Sequence, residues 1–189
     1  MRRGRWLVIA FALAVVGGGA YLLAVWYDRP AFTIDPTQPF QLEFGRGSGG
    51  RRGLDTVKID QTGRAVLHRM KSERKEGVSV LSWEFATLQL SPEALAEVLK
   101  AVESNGLMGL RNAYHEDIYD GTQWVLWIKQ GDREKSVYFD NNFPQQIEVF
   151  AEQLDDILAR AGVGKVSWQP VPERQSRQHE RELWDSIKR

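Results

Sequence analysis

The sequence predicts an α+β fold, in which an N-terminal transmembrane helix precedes an antiparallel sheet with two helices packed on one face. Three observations carry this expectation. Residues 6–27 hold no charged side chain. Several later stretches alternate apolar and polar residues with period two, two of them joined by a close hairpin. Two further stretches repeat apolar residues at helical spacing.

The N-terminal segment runs from Trp6 to Trp26 and Tyr27. At about 1.5 Å per residue it spans roughly 30 Å, the thickness of a bilayer's hydrocarbon core. Trp6 at one end and Trp26 with Tyr27 at the other suit the interface, where a ring with a polar tip satisfies both phases. Arg2, Arg3 and Arg5 precede the segment and Arg29 alone follows closely. That asymmetry predicts a single-pass signal anchor with residues 1–5 cytoplasmic and the rest outside. The lack of any Asn-x-Ser/Thr sequon fits a bacterial envelope, with the domain on the periplasmic side of the inner membrane. A cleaved signal peptide is the rival, with residues 6–16 as its apolar core and Gly18 and Ala20 near the cut. Both readings export the domain. Ala10, Ala14 and Gly18 recur every four residues, a small-residue spacing that lets two helices approach and marks a candidate homodimer contact.

Composition narrows the function classes. The 189-residue chain carries 25 basic and 25 acidic side chains and no cysteine. Setting aside Arg2, Arg3 and Arg5 leaves 22 basic against 25 acidic side chains beyond the anchor, a net of −3. A nucleic-acid partner is not expected of so acidic a domain. The lack of cysteine excludes disulfides, thiolate metal sites, a cysteine nucleophile and a lipid-modified N-terminal cysteine.

Residues 28–39, with three prolines, read as a linker, and residues 40–162 as the folded domain. Residues 40–44 form a first strand. The glycine-rich Gly45-Arg-Gly-Ser-Gly-Gly-Arg-Arg-Gly53 follows as a loop, and Val57 and Ile59 alternate with polar neighbours along a second strand. Residues 64–70 make a third, residues 71–77 a charged loop, and Leu81, Trp83 and Phe85 share one face of a fourth. Ser91 is positioned as an N-cap, Pro92 suits the first helical position, and Glu93 complements the positive helix end. Leu95, Val98, Leu99 and Val102 then form one stripe, which Gly106 stops.

Trp124, Leu126 and Ile128 alternate along the next strand, and Gly131-Asp132 makes a two-residue turn into Lys135, Val137 and Phe139. Pro144 opens a second helix with the stripe Ile147, Phe150, Ala151, Leu154, Ile157, Leu158 and Ala161, ended by Gly162. Residues 163–189 read as a charged tail, disordered or a marginal helix, with Leu183, Trp184 and Ile187 as a short stripe.

Leu90-Ser-Pro-Glu-Ala-Leu, Gly106-Leu-Met-Gly-Leu-Arg-Asn-Ala-Tyr114 and Asp120-Gly-Thr before a hairpin and helix carry a resemblance. Over roughly residues 54–160 the chain resembles an uncharacterised family of small bacterial envelope α+β domains. The resemblance implies a fold and no activity.

Three groups of residues are candidate sites. Gly45-x-Gly47-x-x-Gly50 matches a phosphate-loop pattern, but a strand follows where a nucleotide fold needs a helix, and Met70 follows His68-Arg69 where a kinase needs aspartate. No cofactor is expected. Arg46, Arg51 and Arg52 remain as candidate contacts to anionic headgroups or polymers. The hairpin turn sets Thr122 opposite Asn141 and Gln123 opposite Asp140. Glu116, Asp117, Asp120, Asp140 and Asn141 then gather oxygens at one sheet end, a candidate calcium or magnesium site. Asp and Asn also favour turns for their own hydrogen bonds, the plainer account of that run. His115 and Glu116 could move protons, but no nucleophile or oxyanion donor pairs with them. Trp127 and Tyr138, with Val125, face away from Leu126 and Ile128, as partner contacts or as residues packed under the glycine loop or linker.

The expected function is a non-enzymatic, membrane-anchored extracytoplasmic module for protein interaction or envelope organisation. A cation- or ligand-binding domain using the acidic sheet end is the alternative, followed by an enzyme of unrecognised type.

Overall fold

The computed structural model describes residues 33–35, 37–48, 53–75, 77–118 and 121–187. In chain order the strands and helices are β1 (Phe40–Ser48), β2 (Asp55–Asp60), β3 (Arg64–Lys75), β4 (Val78–Gln89), α1 (Pro92–Ser104) and β5 (Ala113–His115). Then come β6 (Thr122–Gln130), β7 (Arg133–Asp140), α2 (Gln145–Arg160), β8 (Gln169–Val171) and α3 (Glu173–Ser186). Among the described residues, eight strands form one sheet in the order β5-β7-β6-β1-β2-β3-β4-β8.

Local chemistry accounts for most element ends. The Ser91 Oγ accepts from the Ala94 N–H at 3.2 Å and caps α1. Gly106 leaves that helix in the left-handed region at φ 62°. The β6–β7 hairpin turns at Gly131, whose φ of 56° a side chain would resist, and pairs Gln130 with Arg133.

Alternation sorts the sheet into two faces. Phe40, Leu42 and Phe44 on β1, Val57 and Ile59 on β2, and Leu126 and Ile128 on β6 point to the face covered by α1 and α2. Val98 and Val102 from α1 meet Ile147, Phe150 and Leu154 from α2 in the same core. Each fully buried side chain of this size contributes about 1.5–3 kcal/mol, so this layer holds most of the fold's stability.

Several expectations need correction. The sheet is mixed, not antiparallel: β5 runs parallel to β7, with Tyr114 opposite Phe139. The chain leaves β4 through α1 and returns at the far edge, a crossover that local alternation cannot reveal. Helices cover both faces, not one, because α3 lies on the side opposite α1 and α2 and packs on Leu54 and Val125. The charged stretch 71–77 is mostly strand, since the β3–β4 ladder continues to Lys75 opposite Val78. A solvated two-stranded ribbon tolerates charged side chains that an expected loop would also carry.

The expected transmembrane helix has no counterpart among the described residues. Among the described residues no helix is long and apolar enough to cross a membrane. Residues 6–27, including Ala10, Ala14 and Gly18, lie outside the described residues.

Candidate functional site

The acidic sheet end assembles as its register requires. Gln123 stands opposite Asp140, and the Asn141 N–H donates to the Thr122 carbonyl at 3.0 Å. Its polar groups, however, bond mainly to one another. The Asp140 carboxylate meets His115 Nδ1 at 2.9 Å, while Asp117 lies 3.4 Å from His115 Nε2. Asn141 takes a left-handed φ of 57°; its Oδ1 accepts from the Thr122 N–H and its Nδ2 donates to Asp140. A Cβ on Gly121 would collide with this amide, so the glycine admits it. Glu116 is exposed, and Asp120 lies outside the described residues. Among the described residues no group of three His, Cys, Asp or Glu side chains is placed to hold a metal ion. The arrangement is a turn closed by its own side chains.

The arginine candidates divide. Arg46 makes a bidentate pair with Asp155 of α2, at 2.6 and 2.8 Å, and is already engaged within the chain. Arg51 and Arg52 lie outside the described residues. Arg46 and Asp155 border a cleft of about 360 Å³ whose floor includes Phe44, Leu158 and Trp168. Arg69 lies over the Trp168 ring at 3.8 Å and pairs with Glu84 at 2.7 Å. Among the described residues each guanidinium lining this cleft is matched by a carboxylate, which leaves no unbalanced charge there to select an anion.

Trp127 and Tyr138 do face away from the main core, and α3 packs against them. Tyr138 and Trp184 meet edge to face at 5.8 Å, and Trp127 Nε1 donates to Glu134 at 3.1 Å. Leu183 and Ile187 complete this small apolar layer with Leu54 and Val125. The Leu183, Trp184 and Ile187 stripe therefore belongs to an ordered helix. Tertiary packing supplies the stability that a short helix lacks alone.

Sequence reasoning missed a polar cluster beneath the same helix. Glu43, Thr56 and His68 point from β1, β2 and β3 towards His179 of α3, and these three and Ser176 of the same helix are buried. His179 Nε2 lies 3.0 Å from Thr56 Oγ1 and 3.5 Å from Glu43 Oε1. A hydroxyl, an imidazole and a carboxylate are the parts of a nucleophilic relay. Here both oxygens address the same ring nitrogen, so the carboxylate cannot orient the ring through the other one. His68 sits 4.8 Å from the His179 ring; burial, then the charge of His179, hold its imidazole down to about 4. Among the described residues, Glu43 Oε1, His68 Nδ1 and Ser176 Oγ are buried with no hydrogen-bond partner. The only sequence signal was polar residues on a strand face that alternation assigns to solvent.

The second missed feature is on β4. Val78, Val80, Leu81 and Phe85 are 65, 41, 54 and 38% exposed. Among the described residues, β4's outer edge pairs only with β8, through Trp83, Glu84 and Phe85. Residues 78–82 therefore offer main-chain hydrogen-bonding groups beside exposed apolar side chains. The reading of Leu81, Trp83 and Phe85 as one face was the available signal, but it did not show that the strand lies near the sheet's edge.

Compared with known proteins, the chain matches no family model and no curated sequence.

Proposed function

We propose that this chain is a non-enzymatic interaction module that docks an extended segment of a partner protein along the outer edge of β4. The observation that carries the reading is the run Val78, Val80 and Leu81, exposed and apolar on a strand edge without a partner strand among the described residues. Natural sheets usually protect such an edge, because its free N–H and C=O groups template further pairing. Strand addition uses those groups for affinity and the alternating side chains for selectivity. Val78 and Val80 would line one face of the added strand and Leu81 with Phe85 the other.

For placement, the uncharged segment 6–27 and the three arginines before it support membrane attachment with the domain outside the cytoplasm. Fractionation with protease protection of spheroplasts tests this, and a domain found in the cytosol would refute it.

A photo-crosslinking amino acid at Leu81 tests the docking. Discrete protein adducts are expected there, diminished by Val80→Lys, and none at the exposed Glu103 of α1. Identical adducts at both positions, or none at Leu81, would sink the reading.

A further inference from the structure

We infer that the C-terminal segment, β8 with α3, is a displaceable plug over residues 83–85 of the β4 edge, limiting a partner strand to residues 78–82 while it is docked. The inference rests on the docking reading above and adds a regulation to it.

β8 already does what the proposed partner does. Gln169, Pro170 and Val171 run antiparallel to β4 opposite Phe85, Glu84 and Trp83. The same edge continues into residues 78–82, so a partner strand extending over Val78 to Phe85 must take the positions β8 holds. As an occupant β8 is weak. It has only three residues, against the twelve of β4.

The helix that follows is held by opposing contributions. Leu183 and Ile187, with Trp184, bury apolar surface against Leu54, Val125, Trp127 and Tyr138. The first half of the helix instead sets His179 over Glu43, Thr56 and His68 and buries Ser176. Docking thereby leaves Glu43 Oε1, His68 Nδ1 and Ser176 Oγ buried without a hydrogen bond among the described residues. Undocking returns all three to water, which offsets part of the apolar surface lost. Segments with such a balance open locally, ahead of the core.

Strand and helix are also coupled. Trp83, opposite Val171 in the ladder, stacks on His68 at 4.9 Å, and His68 meets His179. A partner that displaces Val171 from Trp83 therefore acts next to the contact that seats α3.

Hydrogen exchange on the full chain tests the plug. Amides of α3 between Arg177 and Leu183 should exchange about 100-fold or more faster than those of Leu126 and Ile128, by local opening. Exchange at the core's rate would overturn the inference. A labelled synthetic peptide of residues 166–187 provides a second readout. It should bind Leu183→Asp, whose own helix is undocked, at least about tenfold tighter than the wild type. Equal binding would also overturn it. If Leu183→Asp fails to fold, Trp184→Ala serves instead: losing the ring that packs on Tyr138 should speed exchange in α3, and unchanged exchange would count against the plug. The Leu81 adducts separate the two ideas. If they are absent while exchange and peptide binding behave as stated, the docking reading fails and the local opening of α3 stands. If they are present but do not increase with Leu183→Asp, the regulation fails and the docking reading stands.

Discussion

His68 stacks on Trp83 with ring centroids 4.9 Å apart and planes 13° from parallel, and the same imidazole meets His179 of α3 edge on at 4.8 Å. This pair joins the β3–β4 hairpin to the helix behind it, and it makes the contact sensitive to protons.

Burial holds the His68 imidazole down to about 4, against an ordinary value of 6.5. The unfolded chain therefore binds a proton between these two values that the folded chain refuses. Stability is fully present above about pH 6.5 and falls as pH drops towards about 4, by at most about 3 kcal/mol. Urea midpoints across that range should show the fall, and His68→Asn should flatten it. An unchanged slope in the variant would assign the acid sensitivity to other groups.

Gly53 is irreplaceable for two reasons that Gly77 only half shares. Both are left-handed, at φ 116° and 84°, but a Cβ on Gly53 would strike the Trp83 ring whereas Gly77 faces open space. Gly77→Ala should cost about 1 kcal/mol from backbone strain alone, and Gly53→Ala about 2–4 kcal/mol. Denaturant unfolding of the two variants checks the order, and equal losses would mean that Trp83 simply moves aside.

Ile128 and Leu81 lie at opposite extremes of burial, fully enclosed and 54% exposed. Ile128→Ala should lose about 2–5 kcal/mol through lost transfer energy and the cavity left behind. Leu81→Ala should stay within about 0.5 kcal/mol, as expected of a side chain kept for contact with another molecule. A large loss at Leu81 would show that it supports the fold instead.

Ser91→Ala removes the hydroxyl that accepts from the Ala94 N–H, leaving one more unsatisfied donor at the start of α1. Thermal unfolding should report a loss of about 1 kcal/mol, and Ser91→Asp should retain most of the stability. Equal losses in both variants would show that the cap contributes little.

The candidate sites were legible only in part. The turn at Gly131 and Asp132 correctly brought Asp140 opposite Gln123, because a two-residue hairpin leaves no freedom of register. It could not reveal that His115, Asp117, Asp140 and Asn141 satisfy one another, since their partners come through the parallel β5. Trp127 and Tyr138 were assigned to the correct face, but their cover comes from a helix whose polar sequence read as a tail. Glu43, Thr56 and His68 showed only as polar residues on a face that alternation assigns to solvent, because a polar residue on an alternating strand looks the same under a helix as under water.

What the sequence by itself determined is local. The start of α1 at Ser91 and Pro92, its exit at Gly106, the β6–β7 turn and the apolar faces of β2, β6 and α2 all follow from dihedral preference and side-chain periodicity. The tertiary structure alone decided the crossover that makes β5 parallel, the strand character of residues 71–75, and the docking of α3. It also decided which strand edge stayed open. These depend on pairings between residues far apart in the chain, where the favourable term is buried area and the opposing term is the entropy of closing long loops. Neither quantity is written in any short stretch of residues.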